Sequence, residues 1–155
     1  MELRLTRQGI VASRPCRAVR PSDREDLAIL LYAAFRGTID DEGETFADAL
    51  VEIDNVFSGD YGGPLLDCSF VIERGEFLAS ASLICLSEPD GVPFVAFSMT
   101  RPDAQHEGLA RYLLRRSIDA LLDRGYERLR LIVTEGNAPA QSLYASLGFR
   151  PIATT

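Results

Sequence analysis

Residues 102–110 read PDAQHEGLA, and an arginine-rich segment with leucines at helical spacing follows them up to residue 124. About thirty residues further on, residues 137–149 read NAPAQSLYASLGF. Proline and aspartate before an apolar periodic run mark the start of a helix, and glycine marks the end of one. The first stretch therefore predicts a helix over residues 108–124. The second predicts a helix over residues 139–147 that Gly148 terminates.

The remaining patterns alternate between strands and helices. Helical spacing predicts one helix between Asp23 and Gly37 and another at 46–57. Apolar runs bounded by turn signals predict strands at 16–20, 69–73, 77–86, 92–100, 129–133 and 149–152. The order of strand, two helices, three strands, helix, strand, helix, strand indicates an α/β (α+β) fold in which helices flank a mixed, mainly antiparallel sheet. Two further short runs, 3–6 and 9–12, can add an N-terminal hairpin.

Length and composition indicate one domain over residues 1–155. With 155 residues and 46% hydrophobic content, the chain can bury one sizeable core but is too short for two ordinary domains. Its longest apolar runs fall short of the roughly 20 residues that a membrane span needs. Residues 1–7 have no secretory signal pattern. We therefore expect a soluble, cytoplasmic protein with no membrane partner.

Charged residues are distributed unevenly along the chain. The net charge of −7 argues against nucleic acid as a main partner, since phosphate binding needs a basic face. Ten acids and no base lie between Gly37 and Glu73, whereas six arginines lie between Arg111 and Arg130. The acidic half can receive a cation and the basic half an anion. Alternatively, both are solvated faces of opposite sign.

Cysteine and histidine are too few and too widely spaced for a metal site or a disulfide framework. The three cysteines are Cys16, Cys68 and Cys85, and the one histidine is His106. With that histidine in the 102–110 loop, no Ser-His-Asp or Cys-His pairing can be argued. We therefore expect no metal and no covalent intermediate on the protein.

The two quoted stretches together resemble the GNAT superfamily of N-acetyltransferases. In that family a loop of pattern Q/R-x-x-G-x-G/A binds the pyrophosphate of acetyl-CoA, and Gln105, Gly108 and Ala110 match it. Apart from the family resemblance, the free amides and the helix dipole at a helix N-terminus favour binding of an anion. An ordinary helix start is the competing interpretation. The resemblance implies acetyl-CoA as co-substrate, with these residues at its site: Ser98, Met99, Thr100, Gln105, His106, Glu107, Gly108, Leu109, Ala110 and Asn137.

The resemblance also assigns a role to Tyr144. In the family's x-Y-x-x-x-G-F signature, the tyrosine hydroxyl protonates the thiolate of CoA as it leaves. With a thiol pKa near 8.5 and a phenol pKa near 10, this transfer is uphill by about 2 kcal/mol. Core packing of the tyrosine ring is the alternative. Asn137 caps the last helix, binds the pantetheine arm as its counterpart does in the family, or does both.

The general base is less well defined by sequence. Relatives that acetylate protein N-termini often carry a glutamate at the position of Ile132, and the predicted strand 92–100 has no carboxylate. Glu135 is the nearest carboxylate in sequence, and Asp41 or Glu44 can approach from between the first two helices. We take Tyr144 and Glu135 as the candidate catalytic residues.

These observations lead to one main hypothesis and one rival. The resemblance implies an acetyl-CoA-dependent N-acetyltransferase in which a bound primary amine, of a small molecule or a protein N-terminus, attacks the thioester directly. The acidic half favours a cationic acceptor. The rival is a non-catalytic module that binds acyl-CoA or a protein partner on the same fold, because the usual base positions lack a carboxylate.

The predicted sheet has one edge that needs cover. The chain continues for only six residues after Phe149, so the family's closing hairpin has room for one strand. An uncovered edge invites pairing. Either the N-terminal segment 3–12 or a second subunit, as in a homodimer, can cover it.

Overall fold

Seven strands form one sheet in the computed structural model, which describes residues 1–10 and 13–152. Helices α1 and α2 precede its central strands, α3 connects β6 to β7, and α4 follows β7. The elements in chain order are β1 (Glu2–Arg4), β2 (Arg17–Ala18), α1 (Arg24–Phe35), α2 (Phe46–Ser58), β3 (Gly63–Pro64), β4 (Phe70–Arg74), β5 (Phe77–Leu86), β6 (Pro93–Thr100), α3 (Leu109–Asp123), β7 (Arg128–Arg130) and α4 (Ala138–Leu147).

The sheet is mainly antiparallel, as the sequence predicts. Its strand order is β1-β7-β6-β5-β4-β2, with the short β3 also paired to β5. Only β6 and β7 run parallel, because α3 carries the chain from the end of one strand back to the start of the other. The predicted mixed α/β fold is therefore confirmed.

Helices cover both faces of the central strand β5. Ala81 and Leu83 pack in the cluster that includes α1 and α2, whereas Ile84 packs with residues of α3. On that second face the hydroxyl of Ser82 bonds the hydroxyl of Ser117 in α3 at 3.1 Å. Side chains alternate between the two faces of a strand, so residues 78–85 are all buried. The core thus forms two layers, one on each side of the sheet.

The sheet splits between β6 and β7. These two strands are paired at one position, Phe94 with Arg130. Just beyond Phe94, a bulge interrupts the pairing of β6 with β5: Ile84 faces Val95, but Leu83 faces Phe97. A bulge bends its strand and re-aims side chains. Beyond it, β6 continues to Thr100 while the chain after β7 leaves the sheet. The result is an opening between the two strands.

This split explains why the predicted strand 129–133 is displaced to Arg128–Arg130. Residues beyond Arg130 have no partner strand on the β6 side, and Ile132 is 97% exposed despite its apolar character. Of the apolar segment 129–133, only the first two residues therefore lie in the sheet. Its second part borders the opening.

The N-terminal segment covers the sheet edge. Strand β1 pairs antiparallel with β7, with Leu3 opposite Leu129. The predicted closing strand 149–152 is reduced to one bridge between Arg150 and Glu2. The predicted N-terminal hairpin does not form from the described residues: Gly9 and Ile10 are irregular, and positions 11–12 of its second strand lie outside the described residues.

No helix in residues 1–10 and 13–152 has the length and apolar character required to cross a membrane.

Candidate active site

A cavity of about 620 Å³ lies where the sheet splits. Its walls come from α1, α2 and the loop that joins them, from β6, and from the chain between β7 and α4. Among the described residues it collects six carboxylates, two tyrosines and an asparagine in one space. Its polar and aromatic lining residues include Arg36, Asp40, Asp41, Glu42, Glu44, Asp48, Glu52, Ser98, Thr134, Asn137 and Tyr144.

Tyr144 belongs both to the core and to the cavity. Its ring contacts Phe149 edge-on with the ring centroids 5.8 Å apart, and the residue lines the cavity. The core-packing interpretation is therefore confirmed for the ring, and the acid role of the hydroxyl stays a prediction. Burial raises the pKa of its hydroxyl above the ordinary value; a contact with Ser98 opposes this increase, and the charge of Asp40 adds to it. The hydroxyl is accordingly neutral, and can donate a proton, throughout the physiological range.

Asn137 connects α4 to the loop between α1 and α2. Its side-chain oxygen accepts a hydrogen bond from the amide of Ala140 at 3.3 Å and so caps α4, as the sequence predicts. Its side-chain nitrogen donates to Asp40 across the cavity at 3.4 Å. The hydroxyl of Thr134 donates to the other oxygen of Asp40. Two polar groups at the start of α4 thus hold one carboxylate of the opposite wall.

Other cavity carboxylates serve mainly their own segments. Asp41 accepts hydrogen bonds from the amides of Gly37 and Gly43 at 2.7 and 2.9 Å, and these bonds lower the pKa of its carboxyl group. Glu52 accepts a hydrogen bond from the hydroxyl of Tyr61; burial and then this carboxylate raise the pKa of Tyr61 to about 12. Asp41 thus closes the loop between α1 and α2, while Glu52 fixes the chain after α2.

The loop before α3 has the geometry of an anion site. Gly108 adopts a left-handed conformation with φ of 76° and begins the helix. His106 also adopts left-handed geometry, with φ of 67°. The first helical hydrogen bond runs from the amide of Tyr112 to the carbonyl of Gly108, so the amides of residues 109–111 have no helical acceptor. Such amides, together with the helix dipole, bind phosphate groups.

Arg14 stands beside this loop, a position that the sequence does not predict. The hydroxyl of Tyr112 accepts a hydrogen bond from the amide of Arg14 at 3.0 Å and donates one to its carbonyl at 3.2 Å. One guanidinium nitrogen of Arg14 lies 3.6 Å from the place that a Cβ atom on Gly108 would occupy. Only tertiary contacts bring Arg14 here, because it precedes Gly108 by more than ninety residues.

The other predicted cofactor residues occupy two regions. Ser98 lines the cavity from β6, whereas the Met99 side chain is buried in the core beneath α1 and the Thr100 hydroxyl contacts the hydroxyl of Ser80 at 2.9 Å. In the loop, Gln105 is exposed and Glu107 pairs with Arg74 at 2.9 Å. At the start of α3, Leu109 is buried and Ala110 is half-buried.

The predicted base residues are also separated by the fold. Glu135 is exposed and is not among the residues that line the cavity. Asp41 and Glu44 do line it. The sequence does not distinguish Asp40 as a base, although Asp40 lies in the same acidic segment as Asp41 and Glu44. A tertiary contact with residues 134–137 distinguishes Asp40, and no local pattern shows that contact.

Comparison with known proteins identifies the family. The Acetyltransferase (GNAT) family profile matches residues 26–149, and the chain belongs to this family. The chain is similar over 52 residues, at 46% identity, to a mycothiol acetyltransferase of Beutenbergia cavernae, and over 48 residues, at 52% identity, to the [ribosomal protein bS18]-alanine N-acetyltransferase of Escherichia coli. These alignments cover 34% and 31% of this chain but only 18% and 32% of the two relatives.

A solved structure shows the same fold over most of the chain. It is a GNAT family acetyltransferase from Brucella melitensis in complex with acetyl-CoA, with a TM-score of 0.69 and 19% sequence identity. The superposition covers 88% of this chain and 82% of that protein. At this identity the likeness concerns the fold alone.

Proposed function

We propose that this protein, as one domain over residues 1–155, transfers an acetyl group from acetyl-CoA to a primary amine, which attacks the thioester directly. The observation that carries the proposal is that Tyr144 and six carboxylates line one cavity at the split of the sheet. A phenol suits protonation of a leaving thiolate, and carboxylates suit an ammonium group. One cavity therefore offers both groups that the transfer needs.

The loop before α3 supports acetyl-CoA as the co-substrate. The left-handed Gly108 and the amides of residues 109–111 fit a pyrophosphate at the helix N-terminus. The guanidinium of Arg14 lies beside that position and can pair with a phosphate oxygen. The structural neighbour from Brucella melitensis, which has the same fold, is in complex with acetyl-CoA.

The backbone around the split suits the acyl group. Beyond Phe94 and Arg130 the two strands are no longer paired, so backbone groups of β6 face the opening rather than a neighbouring strand. Amides of this kind stabilise the oxyanion that develops when an amine attacks a carbonyl. As the C–S bond breaks, Tyr144 donates its proton to the thiolate. Burial raises the pKa of Tyr144. Transfer of its proton to the thiolate is therefore uphill by more than the roughly 2 kcal/mol expected for an ordinary phenol and thiol.

The acceptor in this proposal is cationic before it reacts. Within residues 1–10 and 13–152, six carboxylates and a single arginine, Arg36, line the cavity. Arg36 lies over the ring of Tyr32 with its guanidinium carbon 5.3 Å from the ring centroid. The field inside the cavity therefore favours an ammonium group over an anion. The E. coli relative is named an alanine N-acetyltransferase, so an α-amine belongs in any set of acceptors to be tested.

A non-catalytic acyl-CoA-binding module is the alternative, and turnover decides between the two. The experiment is a screen of alkylamines, polyamines, aminoglycosides and alanyl peptides with acetyl-CoA, with release of free thiol as the readout. Acetyl-CoA should stabilise the protein by about 2.7 kcal/mol at a hundredfold excess over Kd, and at least one cationic amine should release thiol. Binding of acetyl-CoA without turnover of any amine would support the binding module instead.

A further inference from the structure

The acidic residues of the cavity differ in what their oxygens bind. Asp41 closes its own loop, Asp48 accepts a hydrogen bond from the amide of Thr45 at the start of α2, and Glu52 holds Tyr61. Each therefore has a structural use in the wall from which it comes. Asp40 is different, because its partners are on the opposite wall.

Asp40 is half-buried and reaches from the loop between α1 and α2 to the chain that leads into α4. The Thr134 hydroxyl and the Asn137 amide each donate to one of its carboxylate oxygens. The orientation of Asn137 is itself fixed, because its other side-chain atom caps α4. Asp40 is thus the carboxylate that the structure ties to the helix bearing Tyr144.

We propose that Asp40 is the catalytic carboxylate that holds the ammonium group of the acceptor beside Tyr144 and accepts a proton from it. This role rests on the proposed acetyltransferase function. A carboxylate with two donors on one side keeps lone pairs free on the other, so Asp40 can bind an ammonium proton without losing Thr134 or Asn137. Glu135, the base predicted from sequence, is exposed and outside the cavity lining.

The protons balance in this scheme. The acceptor nitrogen must lose two protons in all: one before it attacks the thioester carbon and one after the new C–N bond forms. Asp40 accepts the first. As the C–S bond breaks, Tyr144 gives its proton to the sulfur, and the phenolate regains one from Asp40, directly or through water. The second proton of the nitrogen goes to solvent, so each turnover regenerates the neutral phenol and the carboxylate.

Several charged and titratable groups line the cavity together with Asp40. Among the residues that the structure describes, Arg36 at the end of α1 contributes the one positive charge of the cavity lining. Tyr144 is the titratable group on the α4 side. The negative groups from the loop and from α2 are Asp41, Glu42, Glu44, Asp48 and Glu52.

The test compares Asp40→Asn with Glu42→Gln and Glu135→Gln. Glu42 lines the same cavity and is exposed, so its substitution removes one equal charge without removing the contact across the cavity. Glu135 represents the base predicted from sequence. Thiol release is measured from pH 6 to pH 9 with butylamine and with an alanyl peptide amide. Melting temperature and the thermal shift with CoA establish that each variant folds and binds CoA.

We expect Asp40→Asn to lower kcat/KM for butylamine by about 10²-fold at pH 7, in the range of a lost general base. For the alanyl peptide the loss at pH 7 should be at most about sevenfold, because an α-amine with a pKa near 7.8 is already neutral in about one molecule of seven at that pH. The loss should shrink toward unity at pH 9, since an α-amine with a pKa near 7.8 is then already neutral. With butylamine, whose pKa is near that of lysine at about 10.4, the loss should persist at pH 9. Glu42→Gln should change kcat/KM by at most about fivefold at every pH.

Three outcomes would overturn the assignment. Equal effects of Asp40→Asn and Glu42→Gln would mean that Asp40 adds only to the general field. A loss with the alanyl peptide that stays the same from pH 6 to pH 9 would make Asp40 a structural residue of the loop. A pH-dependent loss in Glu135→Gln alone would transfer the role to Glu135. Failure of the unsubstituted protein to release thiol with any amine of the screen is a separate result, because it overturns the acetyltransferase function itself.

Discussion

Removal of the Tyr144 hydroxyl tests the proposed mechanism most directly. Tyr144→Phe keeps the ring, which packs edge-on against Phe149, and loses only the oxygen and its contact with Ser98. One such polar contact is worth about 1 kcal/mol of unfolding free energy. The variant should therefore fold, melt within a few degrees of the parent and bind CoA with nearly unchanged affinity.

The effect on catalysis should be much larger. We expect kcat to fall by about 10²–10³-fold, the range of a lost general acid, which equals about 2.7–4 kcal/mol of barrier. The loss is not complete, because a thiol with a pKa near 8.5 can also leave as the thiolate. Because burial raises the pKa of Tyr144 above the ordinary value of about 10, this group should cause no fall in kcat between pH 8 and about pH 9.

Thiol release, thermal melting and a CoA titration on the same preparation measure all three quantities. Tyr126→Phe is the matched control, because Tyr126 packs against the same hydrophobic cluster without lining the cavity. A Tyr144→Phe variant that loses stability but keeps its kcat would refute the acid role and leave Tyr144 as a core residue. Unchanged stability with unchanged kcat would assign protonation of the thiolate to solvent or to another group.

Three further changes test other parts of the structure. Gly108→Asp should abolish the thermal shift with CoA, because it adds a negative charge at the phosphate loop. Gly125→Asp is the control, since Gly125 is another left-handed glycine beyond the other end of α3, and this variant should keep the shift. Equal loss of the shift in both variants would point to backbone strain instead. Glu44→Gln should raise the KM for a cationic amine more than it lowers kcat, and the difference should fade at high salt; an effect that is insensitive to salt would exclude a long-range field. For Asp23, burial opposes ionisation, but the hydrogen bonds from Arg17 and the backbone of Arg20 outweigh it and lower the pKa. Asp23→Ala should therefore cost about 1.5–3 kcal/mol of unfolding free energy at pH 7. That cost should diminish as the pH falls below about 4, and a difference in urea midpoints that stays constant down to pH 3 would contradict it.

Sequence patterns predict most of the elements because those elements are locally encoded. Helix α2 begins at Phe46, where Thr45 and Asp48 form a capping box, and ends before the left-handed Gly59. Strand β5 has the predicted bounds of Phe77 and Leu86. Apolar spacing and helix capping involve residues close together in the chain, so both can be recognised in a single sequence.

The misses share a different cause, since each depends on contacts between distant segments. An apolar run predicts a strand at residues 129–133, but the sheet splits after Arg130, and Ile132 is left exposed. Strand β1 takes the place beside β7, which leaves Arg150 with a single bridge to Glu2. Neither result is encoded near the residues concerned. Which segment pairs with an edge depends on competition between the two ends of the chain.

The residues of the candidate site fall into the same two groups, those with a local sequence signal and those placed by contacts between distant segments. Tyr144, Asn137 and Gly108 are found from sequence because they stand in recognisable local contexts, a helix signature, a helix cap and a helix start. Arg14 and Asp40 are not found, since an arginine in a loop and one aspartate among several acids carry no local signal. Their positions depend on Tyr112 for Arg14, and on Thr134 and Asn137 for Asp40.

The charge of Asp40 connects acceptor binding to the acidity of Tyr144. In the free protein this negative charge contributes to the raised pKa of the Tyr144 hydroxyl, after the larger effect of burial. An ammonium group bound at Asp40 offsets that charge, and a nearby positive charge lowers the pKa of a phenol. Tyr144 would then be a somewhat better acid when the acceptor is in place, while burial, the larger effect, still keeps its pKa above the ordinary value.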